Sequence, residues 1–524
     1  MSHYIKVGNL KLDQDLMDVI CPAAGFTPEN ICTVENGYIP NPNVPFVAPI
    51  TVVDIDVPPE TIIFIMDSTL MSIFNKMTVS INASSALKYT FYDSDENLLG
   101  DVTSSSTSTH YASIAIPPSP TQFVKMVISI VTAGRYFTKL VSSASSSAFQ
   151  VGTIAMYANT PNMKELYGAF QYYKSIKEVK FYCTLNELTT MELMFSNSSI
   201  EQFTFDISLP KLSTIKSMFY ISDLWEITFS TGFSAPLLTT VYGTFRNTKL
   251  KSASIPIINS VLDCTFCFYQ NSLLESLVIG GFPNATNVQG FIAESPRLLS
   301  FNLPEMLLNA NFDSFANKCY GLKILKFNGE TKGFAGKPKV ITDCYSLDEL
   351  EWPRATDSPT SVIAGNNMSI KKIRLPDYVI GNAASIFVNY FWKISGNNAL
   401  EYISGDYEWS TGISGSFYMV ASDYPNIKEI AIPKFKVASI QLGVNIYNKL
   451  NKLTNIAFDW SHTSWTTGGS TILIYAALTT GCLNDIYTEL PTVSGATYTL
   501  DVSSNDGYAG SDPSIATAKG WTVL

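Results

Sequence analysis

Charge is the first thing this chain has little of. Only 15 % of its 524 residues are Asp, Glu, Lys or Arg, well under the roughly 25 % usual for soluble chains. Surface polarity must therefore come from Ser, Thr, Asn, Gly and Tyr. The charge present leans acidic, with 44 Asp and Glu against 34 Lys and Arg and a formal net charge of −10. Nucleic-acid binding needs a basic stripe that releases counterions from phosphates. No such cluster occurs, and nucleic acid is set aside as a partner. Long apolar runs are missing too. No stretch reaches the 18 or so residues of a membrane span, so membrane insertion is not expected. The opening MSHYIKVGNLKLDQDLMDVI has no basic region followed by an apolar one, so it does not read as a secretory leader.

Residues that announce chemistry are equally thin. The three histidines, His3, His110 and His462, stand apart from any Cys, Asp or Glu at ligand spacing. Cys264 and Cys267 form a CxxC, but there is no second close pair for zinc and no βαβ context for redox work. The eight cysteines read as small buried residues filling repeat positions. No Gly-rich phosphate loop and no G-x-S-x-G occurs. Asp406, Glu408 and Asp459 could serve a polysaccharide-cleaving enzyme, which needs two facing carboxylates. A loop carboxylate is more often merely solvated. The expectation is no catalytic residue, no metal and no cofactor.

What the chain does have is a repeat. An apolar–x–x–apolar–x–apolar phrase begins at Ile176, Ile200, Leu224, Leu250, Leu274, Leu298, Leu322, Leu347 and Ile370. Looser copies follow at Leu400, Ile427, Leu453 and Leu483, for thirteen in all. The first nine are spaced by about 24 residues and the last four by wider steps. The last two apolar residues of the phrase lie two apart, so they share one face of a short strand. One such strand cannot bury its face alone. Stacked coils can, which makes a solenoid the expected architecture. At ~4.8 Å per strand, thirteen coils would run roughly 60 Å. Pro256, Pro304, Pro353, Pro376 and Pro433 follow the last apolar residue of their phrases and are expected to close the strands. Phe195, Phe219, Phe245, Phe291 and Phe315 precede the phrase by five to seven residues and are expected to seal the opposite side of the coil.

These features carry a resemblance. A Phe-containing segment, a polar turn and L-x-x-L-x-L-Pro resemble the BspA-like leucine-rich repeats. DSFANKCYGLKILKF, residues 313–327, is the nearest to that family's phrase, with Phe315, Cys319 and Leu322. The resemblance covers about two-thirds of the chain. Cysteine is rarer here than in the family at that position, and the coils lengthen near the C-terminus. The family implies adhesion to cells or surface molecules.

The flanks differ. Residues 1–45 read as an extended arm and 46–141 as a β-sandwich-like domain of short alternating strands. Asp93, Ser94, Asp95, Glu96 and Asn97 are turn chemistry between two of them. YTFYDSDENLLGDV resembles a segment of jelly-roll modules in phage and bacterial surface proteins. Residues 142–160 form a Ser-rich hinge and the start of the solenoid, 161–490 the leucine-rich-repeat solenoid, and 491–524 a C-terminal cap. In that cap SIATAKGW reads as a short helix and WTVL as a closing strand. This ending resembles those of repeat proteins of tailed (crAss-like) phages of gut bacteria and their hosts.

The functional expectation is a mainly β, non-enzymatic structural and binding protein. The aromatic-rich expanded coils offer binding residues, Tyr402, Tyr407, Trp409, Trp460 and Trp465. Rigid rings give contact area at low entropy cost. The resemblance and the leaderless start suggest a phage virion component of tail, muzzle or fibre type. Its N-terminal region would meet other virion proteins, its solenoid a host-surface glycan or protein, and homo-oligomers are allowed. A bacterial cell-surface adhesin is the alternative, and a polysaccharide-degrading enzyme a lesser one.

Overall fold

A computed structural model describes residues 6–7, 10–11, 57–70, 73–142, 152–304 and 310–327. Further on it describes 330–331, 340–351, 354–355, 364–365, 370–374, 378–379, 399–405, 408–409, 416–419, 424–432, 439–443, 449–458, 470–494 and 497–524. The chain divides into Met1–Asp56 and Val57–Leu524. In the first unit Lys6–Val7 pairs antiparallel with Leu10–Lys11. The rest of the expected arm lies outside the described residues.

The second unit begins with two antiparallel groups of strands. Thr61–Asp67, Leu87–Tyr92, Leu98–Thr103 and Phe123–Ile130 belong to one sheet. Ile73–Ser85, Thr107–Ala115 and Phe137–Ser142 form the other. Their apolar sides share a core, where Phe64 meets Phe74 at a ring separation of 5.0 Å. The Asp93–Asn97 turn forms as its chemistry implies. The Asp93 carboxylate accepts from the N–H groups of Asp95 and Asn97, both at 2.9 Å, while Glu96 takes φ 63°.

Each sheet then becomes one side of a β-solenoid. Thr153–Asn159 pairs antiparallel with Thr61–Asp67 and parallel with the first phrase strand, Glu178–Phe181. On the other side Lys139 bridges in parallel to Glu165, which starts a chain of bridges through Thr190, Thr214, Thr240, Asp263, Asn287 and Asn311. Of the expected hinge and solenoid start, Ser142 ends one strand and Thr153 opens another. Residues 143–151 lie outside the described residues.

The solenoid has about 11 turns at a step near 24 residues. That is fewer than the thirteen coils the phrases suggest. Twelve phrases form strands, from Glu178–Phe181 to Asn455–Ala457. The thirteenth, at Leu483, lies on a helix, Thr480–Glu489. The reason is local. Its last apolar position is the polar Thr488, and Cys482, Leu483, Ile486 and Tyr487 fall at helical spacing and are buried. Thr479 caps the helix by accepting from the Cys482 N–H at 3.3 Å. The first apolar residue of all thirteen phrases is fully buried.

Proline placement needs a smaller correction. Pro304 follows its strand as expected, but Pro256 sits inside Ser252–Ile257. The pairing there skips it: Ile255 faces Ile279, then Ile257 faces Gly281. Pro353, Pro376 and Pro433 lie outside the described residues.

The Phe column is present and longer than expected. Phe170, Phe195, Phe219, Phe245 and Phe268 lie ring on ring, with centroids 5.5, 5.5, 5.7 and 5.2 Å apart. Phe268 then meets Phe291 edge-on at 73°, and stacking resumes to Phe315 at 5°. Coil-to-coil hydrogen bonds explain the turn. The Phe245 N–H donates to the Cys267 carbonyl, but the Phe268 N–H donates to Phe291 itself. The ring has moved one position along the coil, which is why the spacing from Phe to phrase varies.

The chain ends on strand Tyr498–Asp501, helix Ser514–Thr517 and strand Thr522–Val523. The two strands extend a parallel sheet that begins at Ser416–Met419. The short helix and closing strand fall where SIATAKGW and WTVL imply.

Candidate functional site

Opposite the phrase strands, each coil crosses in a run of tight turns, and these turns decide which side chains line up. Thr190, Thr214, Thr240, Asp263, Asn287 and Asn311 each accept, through a side-chain oxygen, the N–H two residues on, at 3.0–3.2 Å. Three residues after each the backbone turns left-handed, at Leu193, Ser217, Gly243, Phe266, Gly290 and Ser314. It does so again at Asn197, Ile221, Asn247, Gln270, Glu294 and Lys318. Each coil therefore presents side chains at fixed places, and equivalent residues stack along the solenoid.

One pair of adjacent columns has unusual contents. The residues before the second left-handed position are Tyr220, Arg246 and Tyr269 in three successive coils. The Arg246 guanidinium lies 5.1 Å from the Tyr220 ring centre, 4.9 Å from Tyr269 and 5.7 Å from Phe266. Its Nε is buried without a hydrogen-bond partner, and its side chain enters no ion pair among the described residues. Phe266 holds φ 54°, a costly conformation for a bulky side chain. Its ring lies over the next coil, where a Cβ on Gly290 would come within 2.5 Å of it. Glycine at 290 makes room for the ring.

The second column runs Gln270, Glu294, Lys318. Glu294 accepts from Gln270 at 3.0 Å and from Lys318 at 3.1 Å. Burial opposes its ionisation, but the Gln270 and Lys318 contacts outweigh it and its pKa falls. Burial and then the Glu294 charge push the Tyr269 hydroxyl up, with Arg246 pulling the other way. Lys318 adjoins Tyr320, which stacks on Tyr345 of the next coil at 5.7 Å and an interplanar angle of 1°. These two tyrosines are 45 % and 53 % exposed. Tyr220, Arg246, Tyr269, Glu294, Lys318, Tyr320 and Tyr345 thus form a stripe across six coils, roughly 24 Å at ~4.8 Å per coil. Beneath it the coil interior is filled. The apolar void between Phe229, Phe233 and Phe268 measures about 10 Å³, about the least that holds one water.

The expected site residues fare differently. Tyr402 is half-buried on strand Tyr402–Ser404, with the Lys428 ammonium 5.7 Å from its ring centre. Trp409 lies on a short strand, Glu408–Trp409, paired with Tyr378–Val379. Tyr407, Trp460 and Trp465, like Asp406 and Asp459, lie outside the described residues. Reading along the chain missed the stripe, whose members are some 25 residues apart. Aligning the coils on their Thr, Asp and Asn turn residues would have brought Tyr220, Arg246 and Tyr269 into one column.

Comparison with known proteins finds no matching family model, no matching curated protein and no matching solved structure. Among the described residues no three His, Cys, Asp or Glu side chains gather as a metal site, and no helix is long and apolar enough to cross a membrane.

Proposed function

We propose that this chain is a non-enzymatic recognition protein whose solenoid presents the aromatic stripe to a surface glycan. The observation that carries the reading is the exposed, parallel-stacked Tyr320–Tyr345 pair at one end of a stripe whose other end is the Tyr220–Arg246–Tyr269 cation–aromatic row. Stacked rings hold each other rigid and offer apolar edges with polar tips for sugar hydroxyls. In this reading the coils are leucine-rich repeats of the BspA-like type. The fully buried leading Leu or Ile of each phrase and the Phe column support that assignment.

The two antiparallel sheets are read as a sandwich-like platform that attaches the chain to a larger particle, a phage virion of tail, muzzle or fibre type. That setting rests on the resemblance of the repeat and the chain end. The bacterial adhesin remains the second setting. Mass spectrometry of purified particles separates them, since absence of the chain from virions removes the first.

Binding itself is tested on a glycan array followed by calorimetry. Joint replacement of Tyr320 and Tyr345 by alanine should weaken binding at least 10-fold, about 1.4 kcal/mol, consistent with the loss of stacking surface. Unchanged affinity would remove the stripe from the argument.

A further inference from the structure

Resting on the glycan reading, we infer that Arg246 makes the stripe selective for a carboxylate-bearing sugar of the uronic acid class. The guanidinium is clasped between Tyr220 of the preceding coil and Tyr269 of the following one, with Phe266 as a third ring. Three rings this close limit its contact with water. They strengthen its attraction for an anion. Its side chain makes no hydrogen bond and no ion pair among the described residues, although lysines along the same face, Lys216, Lys249 and Lys318, each have an acidic partner. With no ion pair, the guanidinium keeps its charge and its remaining N–H groups available to an anion.

The shape of the anion follows from the rings. Arg pairs with planar carboxylates by two parallel N–H···O bonds in one plane. A flat carboxylate entering edge-on between the tyrosines can meet two N–H groups of the fork at once. The nearby acid that could repel such a ligand, Glu294, is already engaged by Gln270 and Lys318. Beyond Tyr269 the stripe passes Glu294 and Lys318 before it reaches Tyr320 and Tyr345, so a sugar chain with its carboxylate at Arg246 would meet those rings three coils on.

The full chain is titrated calorimetrically with hexagalacturonate, with a neutral galactose hexamer and with a sulfated form of the neutral hexamer. The acidic hexamer should bind about 10-fold or more tightly than the neutral one, the usual gain from one charge-assisted pair, and more tightly than the sulfated one. Arg246→Met keeps the stem between the rings and should bring the acidic hexamer to the affinity the same variant shows for the neutral one. Arg246→Lys should restore only part of the preference, because an ammonium lacks the fork. Circular dichroism confirms that both variants are folded. Equal binding of the three probes, or a preference that persists in Arg246→Met, overturns the assignment to Arg246, and the glycan reading stands if binding still needs Tyr320 and Tyr345. If no probe binds the unaltered chain, both readings fall.

Discussion

At the scale of single residues, the coil is held by small polar groups at fixed offsets. Asp263 accepts from the Thr265 N–H at 3.0 Å and the Thr265 hydroxyl at 2.6 Å. Asp263→Ala should therefore cost about 1–2 kcal/mol, read as a lower denaturation midpoint in urea. Gly280 is fixed by close approach, since a Cβ there would stand 2.6 Å from the Ile257 nitrogen. Gly280→Ala should cost about 1–3 kcal/mol by the same measurement. His110 is buried, with Nδ1 3.0 Å from the Ser104 hydroxyl and Nε2 unpartnered. Burial pulls its pKa below the usual 6.5, despite backbone contacts that act the other way. The fold thus favours the neutral ring. Its contribution is complete above pH 6.5 and is lost as the pH falls from there to the lowered folded value. Melting temperature should drop between pH 7.5 and 5, and His110→Phe should flatten that part of the curve. An unchanged slope in the variant would show that other groups govern acid sensitivity.

At the scale of elements, the phrase strands and the Phe column divide the work. Alternation along Ser276–Gly281 or Ser300–Leu303 points every second residue inward, and the column fills the far side of the coil. Phe245 is buried and stacks on both Phe219 and Phe268. Phe245→Ala should cost about 3–5 kcal/mol by loss of burial and an unfilled cavity. The cysteines belong to the same packing. Cys264 and Cys267 are buried and free, and burial pushes both thiols well up. A thiolate-seeking alkylator should leave them unmodified in the native chain and label them in denaturant, as peptide mass spectrometry would show. Rapid native labelling would mean that these coils open. The CxxC reading as packing was available from sequence because no partner pair exists. The helix at Thr480–Glu489 was legible in the helical spacing of Cys482, Leu483, Ile486 and Tyr487.

For the whole molecule, strand pairing runs without a break from the N-terminal sheets into the solenoid. Thr153–Asn159 joins the strand set of Thr61–Asp67 to the first phrase, and the Lys139–Glu165 bridge, with its 2.6 Å ion pair, joins the other side. A chain beginning at residue 152 would present an unpaired strand edge and an uncovered apolar coil end. Such edges template association. That truncation should elute from size exclusion as aggregates, while the full chain does not.

The sequence by itself determined the step near 24, the strand phrase and the scarcity of chemistry, because a period-two apolar face and its repeat are local properties of the chain. It also marked the strands from Thr61 to Ile130 and the turn at Asp93. Tertiary structure alone decided where the rings meet. Tyr220, Arg246 and Tyr269 become neighbours only when one coil sits on the next in a register set by turn residues and hydrogen bonds between coils. That register is a long-range property. The aromatic-rich stretch around Tyr402 stands out along the chain, but nearness in sequence places residues around a coil, and only stacking places them side by side.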